Sequence, residues 1–214
     1  MTALGTDIHG WIECRTWREG LRHDETAWSP AISLPVLGMP RDYDGFACLF
    51  GVRDFDATWR PVAANRGLPP DTSPEVMEEH ATWAGSAFAE TWLTWPEVRA
   101  IDWTEPAVPR ITHIARYHRA PDGTLRLVHH HDWSRGFARA SGINTLTTSP
   151  ADLAGLHPEG TEWTAGTTLY RAERLRRRDA VPEDGPWAPV WTVMEALAGV
   201  HGEENVRLVA WFDE

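Results

Sequence analysis

Apolar and polar residues alternate through residues 5–15. Ile8, Ile12 and Cys14 fall on one side, and Asp7, His9, Trp11 and Glu13 fall on the other. A period of two is the mark of a strand with one buried face, so this segment predicts a β-strand. A polar turn around Gly20 and a weaker strand pattern over 26–34 predict its hairpin partner. Pro35, Gly38 and Pro40 then break the pattern. Over 42–53, Phe46, Leu49, Phe50 and Arg53 recur at helical spacing, which predicts a short amphipathic helix. Gly51 weakens it by about 1 kcal/mol relative to alanine.

Pro61, Gly67, Pro69 and Pro70 make 60–71 an extended loop. Ser73-Pro74 opens a helix to about residue 84, with proline at its first position. Thr94 and Glu97 have the spacing of a capping box for another short helix to Ile101. Residues 106–109 read as a linker within the domain. Strands at 111–119 and 124–131 flank Pro121-Asp122-Gly123, the clearest hairpin signal in the chain. A short helix follows at 149–152, then a strand at 163–170 and an arginine-rich run. Arg174–Arg178 read as a solvated helix face. Trp187, Val190, Trp191, Met194, Leu197 and Ala198 line one side of a helix over 187–200. The last pattern, 205–213, is apolar on both faces after Arg207 and predicts an internal strand. Strands, then helices, then further hairpins predict an α+β fold, mainly an antiparallel sheet with short helices packed on it, as a single domain over 1–214.

Composition narrows the chemistry. The 214 residues contain 20 basic side chains, all arginine, and the absence of lysine excludes Schiff-base chemistry and a Walker-type phosphate loop. Any anion must be met by arginine forks, backbone amides or a metal. A net charge of −11 with a pI near 5.3 lacks the basic excess of a duplex-binding domain, so no nucleic acid duplex is expected as partner. No apolar run reaches the roughly 18 residues of a membrane span, and a soluble, cytoplasmic protein is the expectation. Cys14 and Cys48 read as buried free thiols, too few for a disulfide framework. There are 13 tryptophans without a fixed period, which serve as core or as groove walls.

Three constellations carry candidate chemistry. Asp7, His9 and Glu13 share one face of the opening strand, about 7 Å apart in successive pairs where they are two residues apart. A carboxylate beside an imidazole sets its tautomer or joins it in proton transfer; the plainer reading is a solvated strand face. The arginines Arg41, Arg53 and Arg66 surround the first helix and the following loop, and suit a carboxylate or phosphate, with Trp11 and Trp92 as walls. In the 111–131 hairpin, a bulged turn at Gly123 places Arg119 opposite Leu125, Ala115 opposite His129 and His113 opposite His131. His113, His129 and His131 would then converge as ligands for zinc or iron, with one position open to water. A slip of one residue would bring in the other face, including His118.

Several blocks together carry a resemblance: Gly5-Thr6-Asp7-Ile8-His9; Arg41-Asp42-Tyr43 with Gly51-Val52-Arg53; Arg66-Gly67-Leu68-Pro69 with Asp71 and Ser73; Trp92-Leu93-Thr94 with Ile101-Asp102-Trp103; and Val206-Arg207 with Trp211-Phe212-Asp213. The chain resembles an uncharacterised small protein family of bacteriophage and bacterial genomes. The likeness is weakest over 104–185, and where the family carries a histidine-containing stretch this chain reads Ser86-Ala87-Phe88-Ala89-Glu90. The resemblance attaches no activity; it draws attention to Asp7, His9, Arg53 and Arg66.

The sequence therefore suggests a small enzyme acting on an anionic small molecule, a nucleotide or phosphorylated metabolite. Hydrolysis would proceed by His9/Asp7 acid–base work or with metal assistance at the three histidines. The alternative is a non-catalytic phage-type or host-type accessory factor that sequesters a ligand or binds a protein partner.

Overall fold

Residues 7–16 do form a strand. In the computed structural model, which describes residues 5–17, 22, 25–55, 57–108, 112–130, 132–149, 152–153 and 156–214, β1 runs Asp7–Thr16. Its hairpin partner β2 spans Ala27–Ser33, with a bulge in the pairing between Ile12 and Glu13. The fold is α+β with antiparallel sheets, as the patterns predict. The described chain groups into two compact units: one of Met1–Trp103 with Arg178–Glu214, and one of Thr104–Arg177 inserted between them in sequence. Residues 106–108 of the stretch read as a linker belong to the second unit, and residue 109 lies outside the described residues.

The first unit is built on a sheet of order β2-β1-β8-β3, with β3 at Phe88–Thr94 and β8 at Val206–Asp213. All neighbours are antiparallel. The closing pattern, apolar on both faces, lies in the middle: β8 pairs with β1 and β3 and is buried over its first seven residues. One face of the sheet carries α1 (Tyr43–Phe50). Phe46 and Phe50 meet Phe212 with ring centroids 5.2 and 5.8 Å apart, and Phe50 meets Trp187 at 5.7 Å. Asp42 caps α1 by accepting from the Gly45 amide and from Trp187 Nε1 at 2.9 Å. Gly51 is not inside that helix: at φ 72° it closes it, a left-handed position that glycine takes without strain.

The opposite face is covered by α2 (Pro74–Thr82), whose Val76 joins Val209 and Trp211 in a cluster ringed by Trp11, Trp83 and Trp92. Ser73 precedes α2 without capping it through its side chain; its amide donates to Glu13 instead. The capping box is present as predicted, with Thr94 and Glu97 bonding reciprocally at the start of α3 (Trp95–Arg99). Cys14 and Cys48 are buried and form no disulfide, and burial pushes the Cys14 thiol up.

In the second unit, β4 (Thr112–Arg119) and β5 (Leu125–His129) form the expected hairpin. The strand expected at 163–170 resolves into a second hairpin, β6 (Glu162–Ala165) and β7 (Thr168–Arg174), turning at Gly166 with φ 62°. The sheet order is β5-β4-β7-β6. Ile114, Tyr170 and Ala172 pack with Phe137 of α4 (Arg135–Ser141) and with Leu153. The expected solvated helix face at 174–178 is different: Arg174 ends β7, and Arg177 is 5% exposed with its Nε 2.9 Å from Glu105. The chain returns through α5 (Arg177–Ala180) to the long helix α6 (Ala188–His201), with Trp187, Val190, Met194 and Ala198 buried. Among the described residues no helix is long and apolar enough to cross a membrane.

Candidate functional site

The polar face of β1 runs from open to closed. Asp7, His9, Trp11 and Glu13 lie opposite Asp213, Trp211, Val209 and Arg207 of β8. At the closed end Glu13 is fully buried, ion-paired at 2.8 Å with a buried Arg207, and accepts the Ser73 amide at 2.9 Å. It is a structural anchor, not a partner of His9. At the open end Asp7 takes both Nε and Nη2 of Arg41, at 2.6 and 2.7 Å. Those bonds hold its carboxyl below the usual range. The expected Asp7–His9 pair is thus replaced: His9 Nε2 lies 2.9 Å from Oδ1 of Asp213, across the strand pair.

The His9 ring is enclosed by aromatic surface. Its centroid lies 3.9 Å from that of a tilted Trp83 and 6.3 Å from that of Trp211, on which it stacks. With Nε2 occupied by Asp213, Nδ1 has no hydrogen-bond partner among the described residues and is left to accept or donate a proton.

A second imidazole–carboxylate pair stands nearby. His80 of α2 places Nε2 3.2 Å from Glu90, and its ring meets Trp211 edge-on at 5.2 Å. Glu90 reaches it because β3 bulges opposite Trp211: Phe88 pairs with Phe212 and Thr91 with Ala210. Within that bulge Ala89 adopts φ 53°, a left-handed position that costs a residue with a Cβ on the order of 1 kcal/mol. Trp211 itself is fully buried and its Nε1 has no acceptor among the described residues, a state native interiors rarely leave. No pattern in the sequence points to this pair, since His80 and Glu90 belong to different elements.

The three arginines do not converge. Arg66 is spent on structure: it bonds Glu97 at 2.9 Å, the Val62 and Trp92 carbonyls at 3.0 and 3.2 Å, and covers the Trp92 ring at 5.0 Å. Trp92 therefore walls no anion pocket, and Trp11 donates Nε1 to Glu79 beneath α2. Arg53 does reach the open end. Its backbone sits at φ 64°, its Nε donates to Thr6 Oγ1 at 2.6 Å and its Nη2 lies 2.9 Å from Glu214. Glu214, Gly85, Ser86 and Phe88 line an open groove of about 480 Å³. Two contacts of His9 adjoin this lining in sequence: Trp83, whose ring meets it, stands two residues before Gly85, and Asp213 stands one residue before Glu214.

Among the described residues of the first unit, three carboxyls sit below their usual range. Asp7 is held there by Arg41. Burial works upward on Asp71 and Glu97, but it is overcome at Asp71 by bonds from Arg207 and Trp28, and at Glu97 by bonds from Arg66 and Thr94. A folded-state value below the unfolded one contributes stability above about pH 4 that is lost as the pH falls through the lowered value. Thermal melts should accordingly show a midpoint that drops from about pH 4 downward, and Glu97→Gln should flatten part of that decline. A midpoint that rises on acidification would contradict these pairings.

The register expected for the histidine triad is shifted. The β4–β5 register slips between Arg116 and Tyr117, so Val128 is extra on β5, and His129 faces Arg116 rather than Ala115. His129 is exposed while His113 is buried and meets His130, with ring centroids 5.9 Å apart. His131 lies outside the described residues. Among the described residues no group of three or more His, Cys, Asp or Glu side chains is placed to hold a metal ion.

Comparison with known proteins adds no relative: no protein-family model matches the chain, and neither a curated protein nor a solved structure does.

Proposed function

We propose that the first unit is a hydrolase for a small phosphorylated molecule, a nucleotide or phosphorylated metabolite, with His9 as its proton-transfer group. The observation that carries this reading is the 2.9 Å contact of His9 Nε2 with Asp213, the residue before Glu214 of the groove lining. A carboxylate on one ring nitrogen fixes the tautomer and leaves the other nitrogen as the base toward water. Asp213, not Asp7, is the positioning residue. Arg53 is the anion-binding group: the Glu214 carboxylate on its guanidinium marks the place a substrate phosphate takes by displacement. Asp7, His9 and Arg53, three of the four positions to which the family resemblance drew attention, lie at this end of the sheet; Arg66 does not.

Purified protein assayed for phosphate release against nucleotides, sugar phosphates, phenyl phosphate and 4-nitrophenyl phosphate tests the reading. Turnover should fall by about 10²–10⁴-fold in His9→Gln, the range for loss of a general acid–base group, while the melting transition is retained. Absence of phosphate release from every compound by the wild-type chain overturns it. Metal analysis of the same sample separates a metal-assisted route, which a stoichiometric transition metal would support.

A binding role without turnover is the second reading, favoured by Leu127 and Val128, which stand 44% and 51% exposed on β5 at the edge of the second sheet. A ligand that raises the melting temperature and is recovered unchanged would support it.

A further inference from the structure

The bulge in β3 spends backbone strain to deliver one side chain. Without the extra residue opposite Trp211, Glu90 would follow the strand's alternation; with it, and with Ala89 at φ 53°, the carboxylate reaches His80 at 3.2 Å. Bulges are a common means of re-aiming a side chain beside a reactive centre. The product is a copy of the His9–Asp213 arrangement. In both pairs Nε2 meets the carboxylate, Nδ1 is without a partner among the described residues, and the ring rests on the indole of Trp211, at 6.3 Å for His9 and 5.2 Å for His80. Both pairs are partly open to solvent, at 16% and 19% for His9 and Asp213 and 21% and 28% for His80 and Glu90, so each ring can exchange protons with water. The indole that both rings meet keeps a buried N–H without an acceptor among the described residues, a second irregularity at the same spot.

We propose that His80, positioned by Glu90, is the general acid that complements His9 as general base, a role that rests on the hydrolase reading above. In the step, a water oxygen bonds to phosphorus and the bond from phosphorus to the ester oxygen breaks. Nδ1 of neutral His9 takes the proton of the attacking water, and Nδ1 of protonated His80 gives its proton to the departing oxygen. The products are inorganic phosphate and an alcohol. The two rings then return to their starting charges by proton exchange with solvent. A base on one imidazole and an acid on another suit an ester with a poor leaving group, which needs a proton as it departs.

The test compares two probes. Phenyl phosphate needs a proton on its leaving oxygen, whereas 4-nitrophenyl phosphate releases a stabilised anion without one. In His80→Gln and in Glu90→Gln, kcat/KM for phenyl phosphate should fall by about 100-fold or more, while that for 4-nitrophenyl phosphate stays within about threefold. The ratio of the two is the readout, because it is independent of the fraction of a variant that is folded. If both variants leave the ratio at its wild-type value, the inference is overturned; the hydrolase reading survives if His9→Gln still abolishes both activities. If the wild-type chain hydrolyses neither probe nor any other phosphate ester, the reading fails and the inference falls with it.

Discussion

Arg207→Ala should destabilise the folded chain by about 3–5 kcal/mol, the usual result of stranding one member of a buried ion pair. Glu13 is fully buried, and Arg207 supplies its charge partner from the neighbouring strand at 2.8 Å. The same guanidinium reaches the Asp71 carboxylate at 2.7 Å and the Asp71 carbonyl at 3.1 Å, and lies 3.9 Å from the centroid of Trp28. Removing it leaves a carboxylate in a dry site with only the Ser73 amide for company. Asp71 is half exposed and regains water, so most of the loss comes from Glu13. Urea titration gives the measurement, read as a lower midpoint at unchanged slope. Replacing both partners with methionine should restore much of the loss, since two apolar groups of similar volume strand no charge. A loss under about 1 kcal/mol in the single variant would mean the pair is not buried as described.

Gly10→Ala should be comparably severe, about 3 kcal/mol or more from backbone strain and overpacking together. Gly10 lies in the middle of β1 at φ 147°, paired with Ala210. A Cβ there would overlap the Val209 carbonyl oxygen and stand 2.8 Å from Ala210 Cα. These are backbone atoms of the central strand, so relief requires β1 and β8 to part. Gly38→Ala is the control: at φ 69° it meets strain, but nothing lies within 4 Å of its added methyl. A Gly10→Ala variant that melts no earlier than Gly38→Ala would refute the close approach.

The segments that sequence patterns identified are those whose geometry is set locally. The alternation of β1, the Thr94–Glu97 box, the turn at Gly123 and the two-faced apolarity of β8 each need only neighbours in the chain. β3 was not legible, because its bulge at Ala89 and Glu90 breaks the alternation that would have announced it. The candidate site was half legible. His9 stood out on its strand, but its partner Asp213 lies 204 positions away and is brought near only by pairing of β1 with β8. Glu13 shares the period of His9, and nothing local distinguishes the polar residue that stays open from the one that Arg207 and the loop before α2 seal. The register expected around the histidines shifts for a similar reason: one extra residue in β5 sets His129 opposite Arg116.

The sheet order has a consequence for synthesis. β1 and β3 are joined only through β8, the strand made after every other element of the chain, whereas residues 104–177 carry their own sheet and core contiguously. As the polypeptide leaves the ribosome, the inserted unit can close while its host still lacks a middle. Until β8 arrives, two strand edges stand unsatisfied and open to pairing with a neighbouring nascent chain.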